Sequence, residues 1–502
     1  MKEIFKCFIK TLAPVHIGCD EVYEPAGFMI DEQAHTLISF DPIAFISSLD
    51  DLERNKFMSL CRRGDISSIL ETYQFLRGRK YPGKEVEVST GFISHYQDTL
   101  SIPLNDKRRI QERLNRFEIS RTSFLPGDNR PYIPGSSIKG AIRTACLNRL
   151  SQNEKLTREK GRFAARNLEK KLLDGGSFDT DPFRMLKVSD FMPVGGIKTK
   201  IAYAVNEKKK PSIHEAGGPY QILEIILPGC VFEGLITIEK PLKESGIRRP
   251  LSLDFLLGSL NLFYGNEKLR EQNELQNISL SHSFKFDRDA IPIRVGRHSG
   301  AESVTIEGHR DIRIKGFQRG KDKFYDHATT FWFLSEYPKA KDKSNLLPFG
   351  WAQMSQLTED LGKEFSEKER VWGEIKEKEI LKREEEIERR KQEFLQEREL
   401  KKARESQERK EAEEAARKKA ELESMSPEDR AIEELKGFEG MTEAEAKVVE
   451  IYNSLNEFSD EKRLAVAQKL KDYWKSIDKW KKKSCSKKQW KKVSTIKGIV
   501  GD

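Results

Sequence analysis

The sequence predicts an α+β protein with a separate helical C-terminal part, and three observations carry that expectation. Before residue 357, short runs rich in Ile, Val, Phe and Thr recur between Gly and Pro punctuation, the pattern of strands. Capped helical stretches lie among them, without the regular βαβα alternation of a doubly wound sheet. After residue 357 the chain becomes a proline-free charged run that reaches residue 424.

The strand runs are EIFKCFIKTLAPVHIG (3–18), QILEIILPGCVFEGLITIE (221–239), ESVTIEGHRDIRIKGF (302–317) and TTFWFL (329–334). DPFRMLKVSDF (181–191) leads into a further strand, and PIRVGRHSGAES (292–303) reads as a strand entering a Gly-flanked turn. Among the helices, 41–60 opens with Asp41-Pro42, a cap residue followed by proline at the first helical position. Residues 152–173 carry apolar residues on a helical period, and 252–275 begin with the cap residue Ser252. Residues 363–424 predict one long helix, in which Ile380, Ile387 and Phe394 form a short heptad seam. Beyond Phe394 the seam lapses into Glu/Lys/Arg pairs at i,i+4, which support a helix without a partner. The run reads as a solvated spacer, with a partner-binding coiled coil as the alternative. Ser426-Pro427-Glu428 then starts a new helix, and 427–502 read as a small helical module.

Composition excludes several function classes. The chain has 502 residues, 34% of them charged, with 90 Lys+Arg against 81 Asp+Glu and a net charge of +9. That length suits two or three domains, and that charge allows a polyanionic partner without requiring one. The six cysteines (Cys7, Cys19, Cys61, Cys146, Cys230 and Cys485) are scattered, with no CxxC pair and no His at metal spacing. Neither a zinc site nor a disulfide framework is expected from them. No run of 18 apolar residues offers a membrane span, and MKEIFKCFIKTLAPVHIG lacks the apolar core of a signal peptide. The expectation is a cytoplasmic protein with no metal and no cofactor.

RPYIPGSSIKGAIRTACL (130–147) raises the first functional question. The open N–H groups and dipole of a helix start can hold a phosphate. Gly135 lets another backbone approach, Ser136 or Ser137 can cap or donate, and Lys139 and Arg143 share a face four residues apart. The order GxxxxGK[ST] is missing, so ATP binding is not expected. On this stretch alone an ordinary capped helix is the competing reading. Two further basic glycine loops, PIRVGRHSGAES with Arg294, Arg297 and His298, and RIKGFQRGKDK (313–323) with Lys315, Arg319 and Lys321, favour a surface that follows a phosphate backbone.

Near the C-terminus, Trp480 and Trp490 are interleaved with Lys481, Lys482, Lys483, Lys487 and Lys488. Basic residues among aromatics suit single-stranded nucleic acid, while a bundle core with a lysine-rich outside, or docking to a protein, would use the same residues. The eight histidines (His16, His35, His95, His214, His282, His298, His309 and His327) show no pairing at a telling spacing. Asp20, Glu21 and Asp31 lie near an early loop without a recognisable pattern. No catalysis is expected from either group.

Taken in order, TLAPVHIGCDEVY, RPYIPGSSIKGAIRTA, DPFRMLKVSDF, IRVGRHSGAES and LPFGWAQM resemble the RAMP superfamily of CRISPR proteins. More narrowly they resemble the Csm-type subunit of type III-A effector complexes that caps the 3′ part of the guide RNA. The likeness covers about residues 1–354. It implies two ferredoxin-like (RRM-like) domains, placed at 1–190 and 191–356, ahead of the charged helix at 357–425 and a basic helical module at 426–502. It also implies crRNA as ligand, target RNA nearby, and assembly with other Csm-type RAMP subunits in a prokaryotic cytoplasm. By resemblance, Gly135, Ser136, Ser137, Lys139 and Arg143 match the RNA-facing loop and helix start. Gly296, Arg297, His298, Ser299 and Gly300 match the late glycine loop, and His16 and Gly18 match the end of the first strand. The family's late loop usually carries an aromatic residue where His298 stands here, and residues 357–502 lie outside the common pattern. The rival readings are a RAMP-fold endoribonuclease that processes precursor crRNA with His16 or another histidine as base, and a free RNA-binding adaptor that dimerises through its coiled coil.

Overall fold

The alternation in the first run sets the first sheet. Lys2–Thr11 buries Phe5, Cys7, Ile9 and Thr11 and turns Lys6, Phe8 and Lys10 outward, as a strand with one face on a core requires. In the computed structural model, residues 2–173, 178–213, 216–282, 284–315, 321–339 and 345–502 are described. They divide into two compact units, Met1–Lys391 and Gln392–Asp502.

Among the described residues the first unit contains two large sheets and a two-stranded one, Ile312–Ile314 with Lys323–Tyr325. One large sheet is antiparallel, with spatial order Ile291–Arg294, Trp351–Gln356, Lys2–Thr11, Val231–Glu239 and Leu186–Val188. The helices Gly135–Gln152 and Leu253–Gln276 share its core through Ile138, Ile142, Leu256, Leu260 and Phe263. The other sheet is mixed and runs Gly18–Val22, Ile119–Thr122, Gln221–Ile226, Thr199–Lys208, Lys84–Val88, Thr36–Ser39 and Phe28–Asp31. Its parallel neighbours are Gln221–Ile226 with Ile119–Thr122 and Lys84–Val88 with Thr199–Lys208. Tyr73, Phe92, Tyr96 and Phe117 fill the core beneath it. Both sheets draw strands from either side of residue 190, so a cut at 190/191 does not separate them. The reason lies in the pairing: the first strand of the chain hydrogen-bonds to Val231–Glu239 on one side and Trp351–Gln356 on the other.

Three elements differ from the sequence reading, each for a local reason. Residues 41–60 form two helices, Pro42–Ser47 and Asp51–Arg63, because the Asp50 carboxylate accepts from Glu53 N and starts a second one. Of 152–173, only Ala164–Leu172 is a separate helix, and Gln152 ends the preceding one. Residues 302–304 are a 3-10 turn and not a strand, because Glu302 is drawn into a buried ion network.

That network is built on Glu267, Glu271 and Glu274, which share one face of Leu253–Gln276. Arg294 pairs with Glu271, Arg310 with Glu267 at 2.6 Å, and Lys209 with both Glu302 and Glu274. Burial pushes the Glu302 carboxyl up, but Lys209 and Arg270 outweigh it and hold the group at about 2, below its ordinary 4.5. A depressed folded-state value means that the contribution to stability is complete above about pH 4.5 and is lost as pH falls towards 2. The urea midpoint of the first unit should therefore drop over that interval. Glu302→Gln should be less stable at pH 7 and show a shallower drop; a slope equal to wild type would remove Glu302 as its source.

The helix Glu359–Ser424 begins on the first unit. Phe365 meets Phe8 edge-on at 5.3 Å, and Glu369 accepts from both ends of the Arg130 guanidinium, at 2.9 and 2.6 Å, and from Gly195 N at 2.8 Å. Ile387 packs against the cluster of Phe45 and Phe57 in its own unit, so that position of the heptad seam is spent within the chain. In the second unit, Leu435, Val448, Leu470, Tyr473, Trp474, Val493 and Ile496 make the core of a small helical bundle, and Ser426 caps its first helix. No described helix is long and apolar enough to cross a membrane.

Candidate nucleic-acid interface

Two motifs far apart in sequence meet at one turn. The Arg297 amide donates to His16 O at 2.7 Å, which ties the late glycine loop to the end of the first strand run. Gly296 has φ of 82°, and a Cβ there would lie 2.6 Å from His16 O, so only glycine permits the approach. Arg297 is exposed, and its guanidinium lies beside Gly18: a Cβ at Gly18 would be 4.0 Å from Nη1. On the neighbouring strand, Arg121 is turned to its own surroundings: it faces Glu21 at 3.9 Å and lies over the Tyr23 ring at 5.0 Å. The Arg121 guanidinium lies 3.6 Å over the Phe124 ring, and its Nε has no hydrogen-bond partner among the described residues. The exposed Arg297 beside an exposed glycine, on an edge strand, makes a surface suited to a phosphate backbone.

His16 itself lies beneath that surface. It has no exposed area, its Nδ1 is 2.8 Å from Glu224 O, and its Nε2 has no partner. Burial lowers its pKa, the Glu224 carbonyl opposes that, and Arg297 adds to it, so the imidazole is neutral. His298 is likewise occupied. Its ring lies 4.2 Å from Trp332 and 5.5 Å from Phe349, and its Nε2 meets Gln221 Oε1 at 3.1 Å. Burial, with Arg297 and His16 beside it, pushes its pKa down to about 3. The aromatic ring against His298 thus comes from another strand, Thr330–Ser335.

Several residues singled out from the sequence prove to be internal. Arg294 is buried, pairs with Glu271 and donates to Phe349 O at 3.0 Å, so it anchors the loop from below and cannot reach a ligand. Ser299 is buried and bonds Gly296 O, closing the turn, while Gly300 is half-buried within it. The PGSS helix start is closed as well: the Asp190 carboxylate accepts from Gly135 N at 2.8 Å, where a phosphate would sit. Lys139 donates to Leu186 O at 2.8 Å, and Arg143 bridges Asp181 and Glu169 at 2.9 and 2.7 Å. A Cβ at Gly135 would lie 2.4 Å from Val188 O, so this glycine seats the helix against the strand. Of that motif Ser136 is exposed and Ser137 half-buried. Lys315 and Lys321 are exposed at the ends of a hairpin, while Arg319 and His214 fall outside the described residues.

In the second unit, Trp480 and Trp490 pack against the bundle core, and the Lys497 ammonium lies 5.3 and 5.7 Å from their rings. They are not free stacking platforms. Lys481, Lys482, Lys483, Lys487 and Lys488 are exposed. Sequence reasoning did not single out Trp332, which the fold brings against His298 although the two are 34 positions apart.

A family model described as RAMPs, the RAMP superfamily, matches residues 8–285. Two curated relatives, both named CRISPR system Cms protein Csm5, are 28% identical to this chain. The one from Methanocaldococcus jannaschii matches over 204 residues, 38% of this chain and 43% of its own length. The one from Streptococcus thermophilus matches over 203 residues, 38% of this chain and 52% of its own length. The chain thus spans about half the length of the curated relatives it matches. Among solved structures, a chain of a cryo-EM structure of a Csm–crRNA–target RNA ternary complex in a type III-A CRISPR-Cas system gives a TM-score of 0.48 at 18% identity, covering 70% of this chain and 100% of that one. A crystal structure of T. onnurineus Csm5 gives 0.39 at 20% identity, covering 59% and 92%.

Proposed function

We propose, on the premise that this chain belongs to the RAMP superfamily, that it is a non-catalytic crRNA-binding subunit of a type III-A Csm-type effector complex. Its place is the 3′ end of the guide, beside target RNA and next to sister RAMP subunits. The observation that carries this reading is the latch between Arg297 N and His16 O, which holds an exposed guanidinium beside Gly18. The antiparallel sheet with two helices in its core, and the second sheet with its own helical core, support two ferredoxin-like halves. The endoribonuclease alternative loses its first candidate base, since His16 has no exposed surface. The adaptor alternative loses part of its seam, since Ile387 packs on its own unit.

The test is Arg297→Gln, read by binding to guide-length RNA over a range of KCl concentrations. Removing one phosphate contact should lower the slope of log K against log salt by about 0.7. Unchanged affinity and slope in a folded variant would sink the reading.

A further inference from the structure

The C-terminal bundle carries a charge distribution that the preceding helix avoids. Along Glu359–Ser424, cations are matched by carboxylates one turn away, as in Arg370–Glu374, Arg409–Glu413 and Lys418–Glu414. Between residues 481 and 501 there are eight lysines and no Asp or Glu. Three of them, Lys487, Lys488 and Lys491, are exposed on the side of Lys487–Val500 away from the buried Gln489, Val493 and Ile496, and Lys492 flanks them, half-buried with its ammonium 5.8 Å from the Tyr452 ring. Lys487 with Lys491 and Lys488 with Lys492 are like-charge pairs at i,i+4, and the first two residues sit at the positive end of the helix dipole. Both arrangements weaken the helix, and no carboxylate pairs with these four side chains among the described residues. A cost to stability kept on one outward face is the signature of a functional surface.

We infer that this lysine face binds the phosphodiester backbone of a nucleic acid without reading its sequence. Lysine is depleted at protein interfaces, whose centres use aromatic, Met and Arg anchors. The exposed large apolar side chains of this bundle, Met441 and Leu464, lie outside the lysine helix. Trp480 and Trp490 are committed to the core, so the contact is electrostatic, driven by release of counterions from the phosphates. The face lies beyond the residues matched by the family, 8–285, and stands whether or not the guide-RNA reading does.

The full-length chain is titrated into labelled poly-U RNA and into a mixed-sequence DNA duplex over a range of KCl concentrations. Three forms are compared: wild type, K487Q/K488Q/K491Q/K492Q, and the matching fourfold Lys→Arg variant. Neutralising four charges should lower the salt slope on poly-U by about 3 and weaken binding at low salt more than tenfold. The Arg variant should bind as wild type. Circular dichroism of the Gln variant should match wild type, because its loss relieves repulsion. The stronger of the two probes tells whether a single strand or a duplex is the source of the phosphates. Retained slope and affinity on both probes overturn the inference, and so does loss of binding in the Arg variant. Equal competition by polyglutamate also overturns it and assigns the face to an acidic protein.

Discussion

Replacing Arg294 by methionine is expected to destabilise the first unit by about 3–5 kcal/mol, read as a shift of its urea transition. The guanidinium is 2% exposed, pairs with Glu271, donates to Phe349 O, and lies 4.9 Å over the Trp351 ring. Methionine restores much of the volume but leaves the Glu271 carboxylate buried without its cation. Glu271 also accepts from Trp351 Nε1 at 2.6 Å, so it cannot turn to solvent without stranding the indole. The double variant Arg294→Met/Glu271→Gln should recover more than half of the loss, because the stranded charge is gone and the amide oxygen still accepts from Trp351. A single variant within about 1 kcal/mol of wild type would show that the pair is not structural. An RNA contact would instead weaken binding and leave the unfolding midpoint where it was.

Gly296→Ala should cost about 2–6 kcal/mol and weaken RNA binding together. The backbone there has φ of 82°, which costs a side chain about 1–3 kcal/mol. The added methyl would meet His16 O at 2.6 Å, and a clash in a packed site adds about 1–3 kcal/mol. Relief requires the loop to withdraw from His16, which breaks the bond that positions Arg297. Gly300→Ala is the control. Its φ is also 82°, but the nearest atom to its Cβ would be Glu302 Oε2 at 3.6 Å, so only the backbone strain applies. It should lose less stability and keep RNA affinity. Equal effects from the two substitutions would refute the latch.

Much of the architecture was legible because it is written in neighbouring residues. Alternation in 2–11, the Ser252 cap of Leu253–Gln276 and the Ser426 cap of Pro427–Gly437 all depend on side chains a few positions apart. The family motifs were legible for the same reason, since each is a contiguous string. The break near 357 needed only composition. Failures came where a distant group intervened, as when Glu302 was pulled from an expected strand by Lys209.

The cations of the candidate site show that divide most clearly. By itself the sequence determined that Lys139, Arg143, Arg294 and Arg297 would sit in glycine-marked loops and helix starts, because turn and cap chemistry is local. Only the tertiary structure decided which of them face outward. Glu271, Asp181 and the Leu186 carbonyl reach Arg294, Arg143 and Lys139 from other elements, while Arg297 is left exposed. A charge taken out of water must find such a partner, and no local pattern of residues records where in the fold that partner will be.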